Sequence, residues 1–383
     1  MEDNPLNESG LIGSRSVEVE FPLVPEENRS MLAHKQEFDY ENTRKEFAEW
    51  LLLEGKDPRD VVGYTQGTAK RTVYRVAFCE RWVWGEEDEY VPTLTTSHAD
   101  DFIEAMAYSD YSNSHKHSCL HSLKRYFNWR HHEFGGDEWE PDRSFSTGNG
   151  QQPQDYLSTT ERAELRHTAL EHGDIPAYKT VKCKEKRRER LKPYVAERVN
   201  KPIEALGVDD WGDIGSWKLT SLVWVSLDAG LRPTEVERAK TSWVDVENSL
   251  LRIPKEESAK NVENWNVSLR DRTADALEKW IHERTHYPKY DDNDSLWLTT
   301  HGNPYGSKSL RRLLLKLCEK AGVPHESRKM SWYSIRHSVG TYMTRAEDLA
   351  ATQEQLRHKR PETTMKYDGT PPEDRRDALD KMG

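Results

Sequence analysis

The stretch PDRSFSTGNGQQPQD, Pro141 to Asp155, is Gly, Ser, Gln and Pro with little that a core could bury, and it divides the chain. At 383 residues the sequence exceeds the usual single-domain size. Two folded parts are therefore expected: a helical domain over 38–142 and a second domain over 156–383, joined by a linker at 143–155. Residues 1–37 are polar, with one alternating stretch, SVEVEFPLV, and are expected to form an N-terminal arm. In 38–142 helical periodicity recurs four times. Gly55, Gly85 and Gly135-Gly136 stop three of the segments, and Asn42 and Ser97 are candidate caps. After the linker, Ser158 followed by Glu161 has the spacing of a capping box. The second domain reads as mostly helical. A small β element is expected from Ser242–Val246, Leu250–Pro254 and Asn264–Leu269, and helices from Arg272–Arg284, Lys308–Lys320, Ser331–Thr344 and Ala346–Leu356. The fold class is thus mainly α with a small antiparallel sheet (α+β).

Charge and composition limit the functional classes. Apolar residues are 35% and charged residues 32%, yet 13 Trp, 16 Tyr and 8 Phe suffice for packed cores, which argues against a disordered chain. No apolar run approaches the roughly 20 residues of a membrane helix; the strongest, Leu219 to Leu231, contains Asp228. The opening MEDNPLNESG lacks the basic and apolar regions of a secretion signal. Cys79, Cys119, Cys183 and Cys318 have no CxxC spacing and read as buried thiols of a reducing, cytoplasmic compartment, with no metal site. Net charge is −11, but the sign is segregated. Lys179 to Lys192 reads KTVKCKEKRRERLK, with eight basic and two acidic residues, so a local face could still hold phosphates.

Several polar residues interrupt apolar surroundings. Arg232 follows an apolar helix and precedes a proline, with Glu235 one turn on; Arg336 lies in SWYSIRHSVGTYM; His358 and Tyr367 lie in LRHKRPETTMKYDG. Each alone has an ordinary packing explanation. In this order, GLRPTEV, YSIRHS and LRHKRPETTMKY, they resemble the tyrosine recombinases, or phage integrases. The last segment is the most specific: paired Thr363-Thr364 follow His358, and Tyr367 stands nine positions after it. The resemblance covers the chain from about Tyr156 onward, and SNSHKHSCLHSLKRYFNW resembles the family's helical, SAM-like core-binding module.

The resemblance implies an enzyme that breaks and rejoins DNA through a 3′-phosphotyrosyl ester, with neither metal, ATP nor other cofactor. Tyr367 would be the nucleophile. Arg232 and Arg336 would hold the non-bridging oxygens, since guanidinium stays protonated and offers forked donors. Losing one such donor costs about 3–4 kcal/mol in comparable sites. His358 would hydrogen-bond the phosphate or help move a proton, and Glu235 would orient Arg232 or His358. A hairpin lysine would protonate the leaving oxygen; Lys260 is favoured over Lys255. Two residues depart from the family pattern. Tyr333 stands where His or Lys is usual, and a phenol is a poor base near neutral pH. Arg357 stands where Gly is usual. DNA contacts are expected from Lys116, Lys124, Arg125 and Arg130, and from Lys186, Arg187 and Arg188 in the basic run. The expected partners are duplex DNA, a homo-tetramer on paired sites and accessory DNA-bending proteins, without a membrane. Integration or excision of a viral or mobile element is the first reading. The alternatives are a Xer-like dimer resolvase, a relaxing topoisomerase of type IB, and a non-catalytic DNA-binding protein that keeps the fold.

Overall fold

The computed structural model describes residues 17–146, 155–173, 184–207, 209–211, 214–258, 263–369 and 372–382, and the chain divides into two units at Gln151/Gln152. It is mostly helical with one three-stranded antiparallel sheet. Among the described residues no helix is long and apolar enough to cross a membrane.

The first unit contains α1 (Glu26–Arg29), α2 (His34–Leu53), α3 (Gln66–Glu87), α4 (Thr96–Tyr108) and α5 (Asn113–Phe134). Their apolar stripes meet in a core that includes Phe47, Leu51, Val73, Phe102, Leu123 and Trp129. Helix α2 starts well before Asn42, at Ala33, whose amide donates to the Gln36 side chain; α4 is capped by Thr95 instead of Ser97. The segment expected to be a free arm is part of this core from residue 17 on. Phe21 is buried in the main cluster, and Val24 packs with Tyr40 and Trp84. The fully buried Asn28 donates to Tyr40 Oη at 3.1 Å and Ala77 O at 2.9 Å. SVEVEFPLV was therefore a packing signal: its Phe and Val fill gaps that the helices leave.

The second unit contains α6 (Thr159–Glu171), α7 (Lys184–Val199), α8 (Trp217–Ala229), α9 (Pro233–Arg238), β1 (Val244–Asp245), β2 (Leu250–Ile253), β3 (Trp265–Ser268), α10 (Asp271–Arg284), α11 (Ser307–Lys320), α12 (Trp332–Ala346), α13 (Leu349–Leu356), α14 (Glu362–Met365) and α15 (Pro372–Met382). The capping box forms: Ser158 Oγ accepts from the Glu161 amide, and the Glu161 carboxylate accepts from the Ser158 amide. The sheet order is β1-β2-β3, with Val244 opposite Leu251 and Leu251 opposite Val267.

Helix α8 is the axis of this unit. Nine of its thirteen residues are buried, because α6, α10 and α12 cover it. Both of its ends are tied down. At the start, buried Glu283 accepts from the Trp217 amide at 2.7 Å and from Ser216 Oγ at 2.6 Å. Near the end, Asp228 accepts from Thr273 Oγ1 at 2.6 Å and pairs with Arg166, which accounts for an acid inside the apolar run. Gly230 then turns the chain out at φ +57°, and a Cβ there would lie 2.6 Å from Leu356 Cδ2.

Replacing Phe21 by Ala should destabilise the first unit by about 3 kcal/mol, the usual cost of emptying a buried aromatic site. Thermal unfolding of the full chain checks this; a free arm would leave the first transition unmoved.

Candidate active site

The turn after α8 gathers the candidate residues. Arg232 is the residue before α9, and the Glu235 carboxylate reaches back to it twice. Oε2 accepts from the Arg232 amide at 2.7 Å, and Oε1 accepts from Arg232 Nη1 at 2.6 Å. Glu235 is 1% exposed. Arg357 approaches the same carboxylate from the end of α13, with Nε 3.1 Å from Oε1 and Nη2 2.8 Å from Oε2. Burial pushes the Glu235 carboxyl up, but Arg357, Arg232 and Arg336 outweigh it and hold the group at about 2.

Arg336 comes from α12 and is buried. It donates from Nη1 to Gly230 O at 2.7 Å and from Nη2 to Leu356 O. Those carbonyls lie at the C-terminal ends of α8 and α13, where helix dipoles favour a cation. Burial, with Arg357 and Arg232 nearby, lowers Arg336 to about 9, so it stays charged at neutral pH. Arg232 also donates from Nη2 to Arg357 O at 3.1 Å. Each of these two guanidiniums has five N–H groups and two are engaged among the described residues, which leaves three on each for an anion.

The aromatic side of the site is built on α12. Tyr333, Arg336, His337 and Gly340 recur at helical spacing on one face. Tyr367 is 5% exposed and packs with Val339 and Leu356. Its ring lies against Gly340, where a Cβ would sit 2.6 Å from Tyr367 Cζ. The ring stacks parallel to His358, with centroids 6.2 Å apart, and the hydroxyl is 3.0 Å from His337 Nδ1. Burial raises the phenol to about 12, although Arg336 and Arg232 pull it down. His358 Nδ1 is 2.8 Å from Thr364 Oγ1; with that hydroxyl donating, a neutral ring carries its hydrogen on Nε2. Burial and the surrounding cations depress His358 to about 3 and His337 to about 4, so both rings are neutral near pH 7.

The structure thus brings together Arg232, Glu235, Arg336, His358 and Tyr367. Tyr333 is on the same helix face but 39% exposed, one turn from His337. Lys260 lies outside the described residues. Lys255 is exposed at the end of β2, its amide held by Asn264 Oδ1. The side chains of Lys186, Arg187 and Arg188, and Cys183, also lie outside the described residues, whereas Cys79, Cys119 and Cys318 are buried.

In the first unit, Lys116 requires a correction. It is buried, and Nζ donates to Ala107 O and Ser109 O at 3.0 and 2.8 Å, so it caps α4 and does not face a phosphate. Lys124 pairs with Glu140 at 2.8 Å. Arg125 donates to Thr72 Oγ1 and covers the Tyr64 ring, and Arg130 covers Phe134. Sequence reasoning missed His337 and the role of Arg357. The signal for His337 was its place one turn from Tyr333 and next to Arg336; for Arg357 it was a bulky residue at a glycine-like turn.

Comparison with known proteins adds a family. Residues 196–371 match the model of the phage integrase family. No curated protein matches the chain. Among solved structures, the XerH site-specific recombinase bound to palindromic difH substrate, in a post-cleavage complex, is 16% identical, with 92% of this chain and 90% of that chain covered and a TM-score of 0.54. The XerH pre-cleavage complex with difH is 14% identical, with 91% and 89% covered and a TM-score of 0.52. At these identities the likeness speaks for the fold.

The site should make the unit acid-sensitive. Folded His337 and His358 bind protons less readily than at their ordinary 6.5, and folded Glu235 less readily than at its ordinary 4.5. The unfolded chain therefore takes up the extra protons. Stability from these groups is full above pH 6.5 and is lost as pH falls, first toward 4 and 3 through the histidines and then toward 2 through Glu235. Urea unfolding between pH 7 and 4 should show this fall, and His358→Asn should make it shallower.

Proposed function

We propose, from a second unit that belongs to the phage integrase family, that the chain is a site-specific DNA recombinase whose nucleophile is Tyr367. One observation carries the reading. Two charged guanidiniums, Arg232 and Arg336, sit with donors to spare beside a phenol that Gly340, Val339 and His358 hold in place. Such a pair suits the non-bridging oxygens of a phosphodiester, whose charge grows in the transition state. The Tyr367 oxygen bonds to phosphorus, and the bond from phosphorus to the 5′ oxygen breaks. The strand is kept as a 3′-phosphotyrosyl ester.

His337 receives the phenolic hydrogen, because its Nδ1 already lies within hydrogen-bond reach. His358 donates from Nε2 to the phosphate. The departing 5′ oxygen takes its proton from a lysine of the β2–β3 connection, for which Lys260 is the choice. The 5′-hydroxyl of a second strand then reverses the step on a new partner. That exchange calls for duplex DNA and for several copies of the chain on paired sites, taken here as a tetramer. Lys124, Arg125, Arg130, Lys186, Arg187 and Arg188 remain the proposed DNA contacts. The length of the chain favours integration or excision of a mobile element over dimer resolution, because enzymes of that kind carry extra arms. Direct repeats flanking the gene would support that choice, and their absence would favour the resolvase.

A nicked suicide substrate tests the reading. Wild-type protein should form a covalent adduct. Tyr367→Phe should form none while binding DNA within about twofold of wild type, and Arg336→Ala should slow the step by roughly 10²–10³. Gly340→Ala should also slow it, since the added methyl occupies the seat of the Tyr367 ring. Binding without any wild-type adduct would favour an architectural DNA-binding protein.

A further inference from the structure

We infer that Arg357 is a positioning residue of the cleavage step: it fixes and neutralises Glu235, so that the charge of Arg232 is left for the scissile phosphate. This rests on the recombinase reading above. The backbone at Arg357 has φ +57° and ψ 52°, a left-handed conformation that favours glycine and strains a side chain as large as arginine. The structure holds it there by using all five of its N–H groups. Nε and Nη2 donate to the two Glu235 oxygens, Nη1 donates to Ala229 O at 2.8 Å and Gln355 O at 2.5 Å, and Nη2 also donates to Gly230 O at 3.2 Å.

No donor remains for a substrate, so Arg357 does not bind phosphate. Its effect passes through its neighbours. Glu235 accepts four hydrogen bonds, two from Arg232 and two from Arg357, which fills its four lone-pair positions. A buried carboxylate facing Arg232 alone would cancel much of that cation's field at the anion site. With Arg357 on its other edge, the Glu235 charge is matched, and Arg232 and Arg336 keep a net positive site. The main chain adds a second link. Arg357 O accepts from Arg232 Nη2, and the next residue is His358. One residue therefore sets the charge of Arg232, its direction and the start of the segment that carries His358.

Arg357→Gly is the informative variant, because glycine suits the backbone and only the guanidinium is lost. In full-length protein on the nicked suicide substrate, single-turnover cleavage should fall at least ~10-fold, with DNA affinity changed by less than ~3-fold. Methylguanidinium added to Arg357→Gly should recover part of the rate and leave wild type unaffected. Arg357→Lys, which keeps charge without the fork, should lie between the two. In ¹³C-detected titration the Glu235 carboxyl of Arg357→Gly should move up by more than one pH unit, a readout that needs no activity. Cleavage by Arg357→Gly at the wild-type rate overturns the inference. So does a slowed variant that methylguanidinium does not rescue, or an unmoved Glu235 titration. Absence of any adduct from wild type overturns the recombinase reading instead, and the Glu235 titration then decides the Arg357–Glu235 link by itself.

Discussion

Three guanidiniums cannot share one buried corner unless something answers their mutual repulsion. Here the answer is the Glu235 carboxylate, flanked by Arg232 and Arg357, together with five backbone carbonyls at the ends of α8 and α13. Most of the second unit serves to put those carbonyls in place. Apolar α8 is gripped at its start by Glu283 and near its end by Asp228, and Gly230 lets the chain leave with its carbonyls turned toward the arginines. Gln355 ties α13 to β3 through Ser268, which carries the rigidity of the sheet to within two residues of Arg357.

The proposed nucleophile, Tyr367, depends on the same frame. Helix α12 supplies Arg336 toward the carbonyls and, one residue on, His337 toward the Tyr367 hydroxyl. Its Gly340 permits the phenol to lie flat on the helix. The acid-base consequence is that the phenol and both imidazoles are held in their neutral forms, and the positive charge is concentrated on arginines that cannot lose it at neutral pH.

Much of this was legible in the sequence, and the failures have physical causes. Helix periodicity located elements of both units because most of the helices bury one face, and Ser158 with Glu161 marked a start because the two residues satisfy each other's amides. The hairpin of β1 and β2 was readable from two β-prone runs around Glu247-Asn248. Boundaries were less so: Asn42 has a capping side chain but lies within α2, whose upstream residue Tyr40 is buried. Residues 17–33 were misread as an arm because the contacts that anchor Phe21 and Asn28 are long-range, made to helices far along the chain. Lys116 shows the limit of counting charges, since a helix C-terminus can consume an ammonium as readily as DNA can. Arg357 could not be placed in advance, because its value depends on a left-handed backbone and on Glu235, 122 residues away.

The central claim is that one phenolic oxygen becomes esterified to DNA beside this arginine pair. Peptide mapping tests it most directly: trap the adduct on nicked DNA, trim the DNA with nuclease, digest with trypsin and weigh the products. The account requires the remaining nucleotide on the peptide that begins at Tyr367. A nucleotide on Tyr333, Tyr342 or any other residue, or a wild-type chain that carries none, would contradict it.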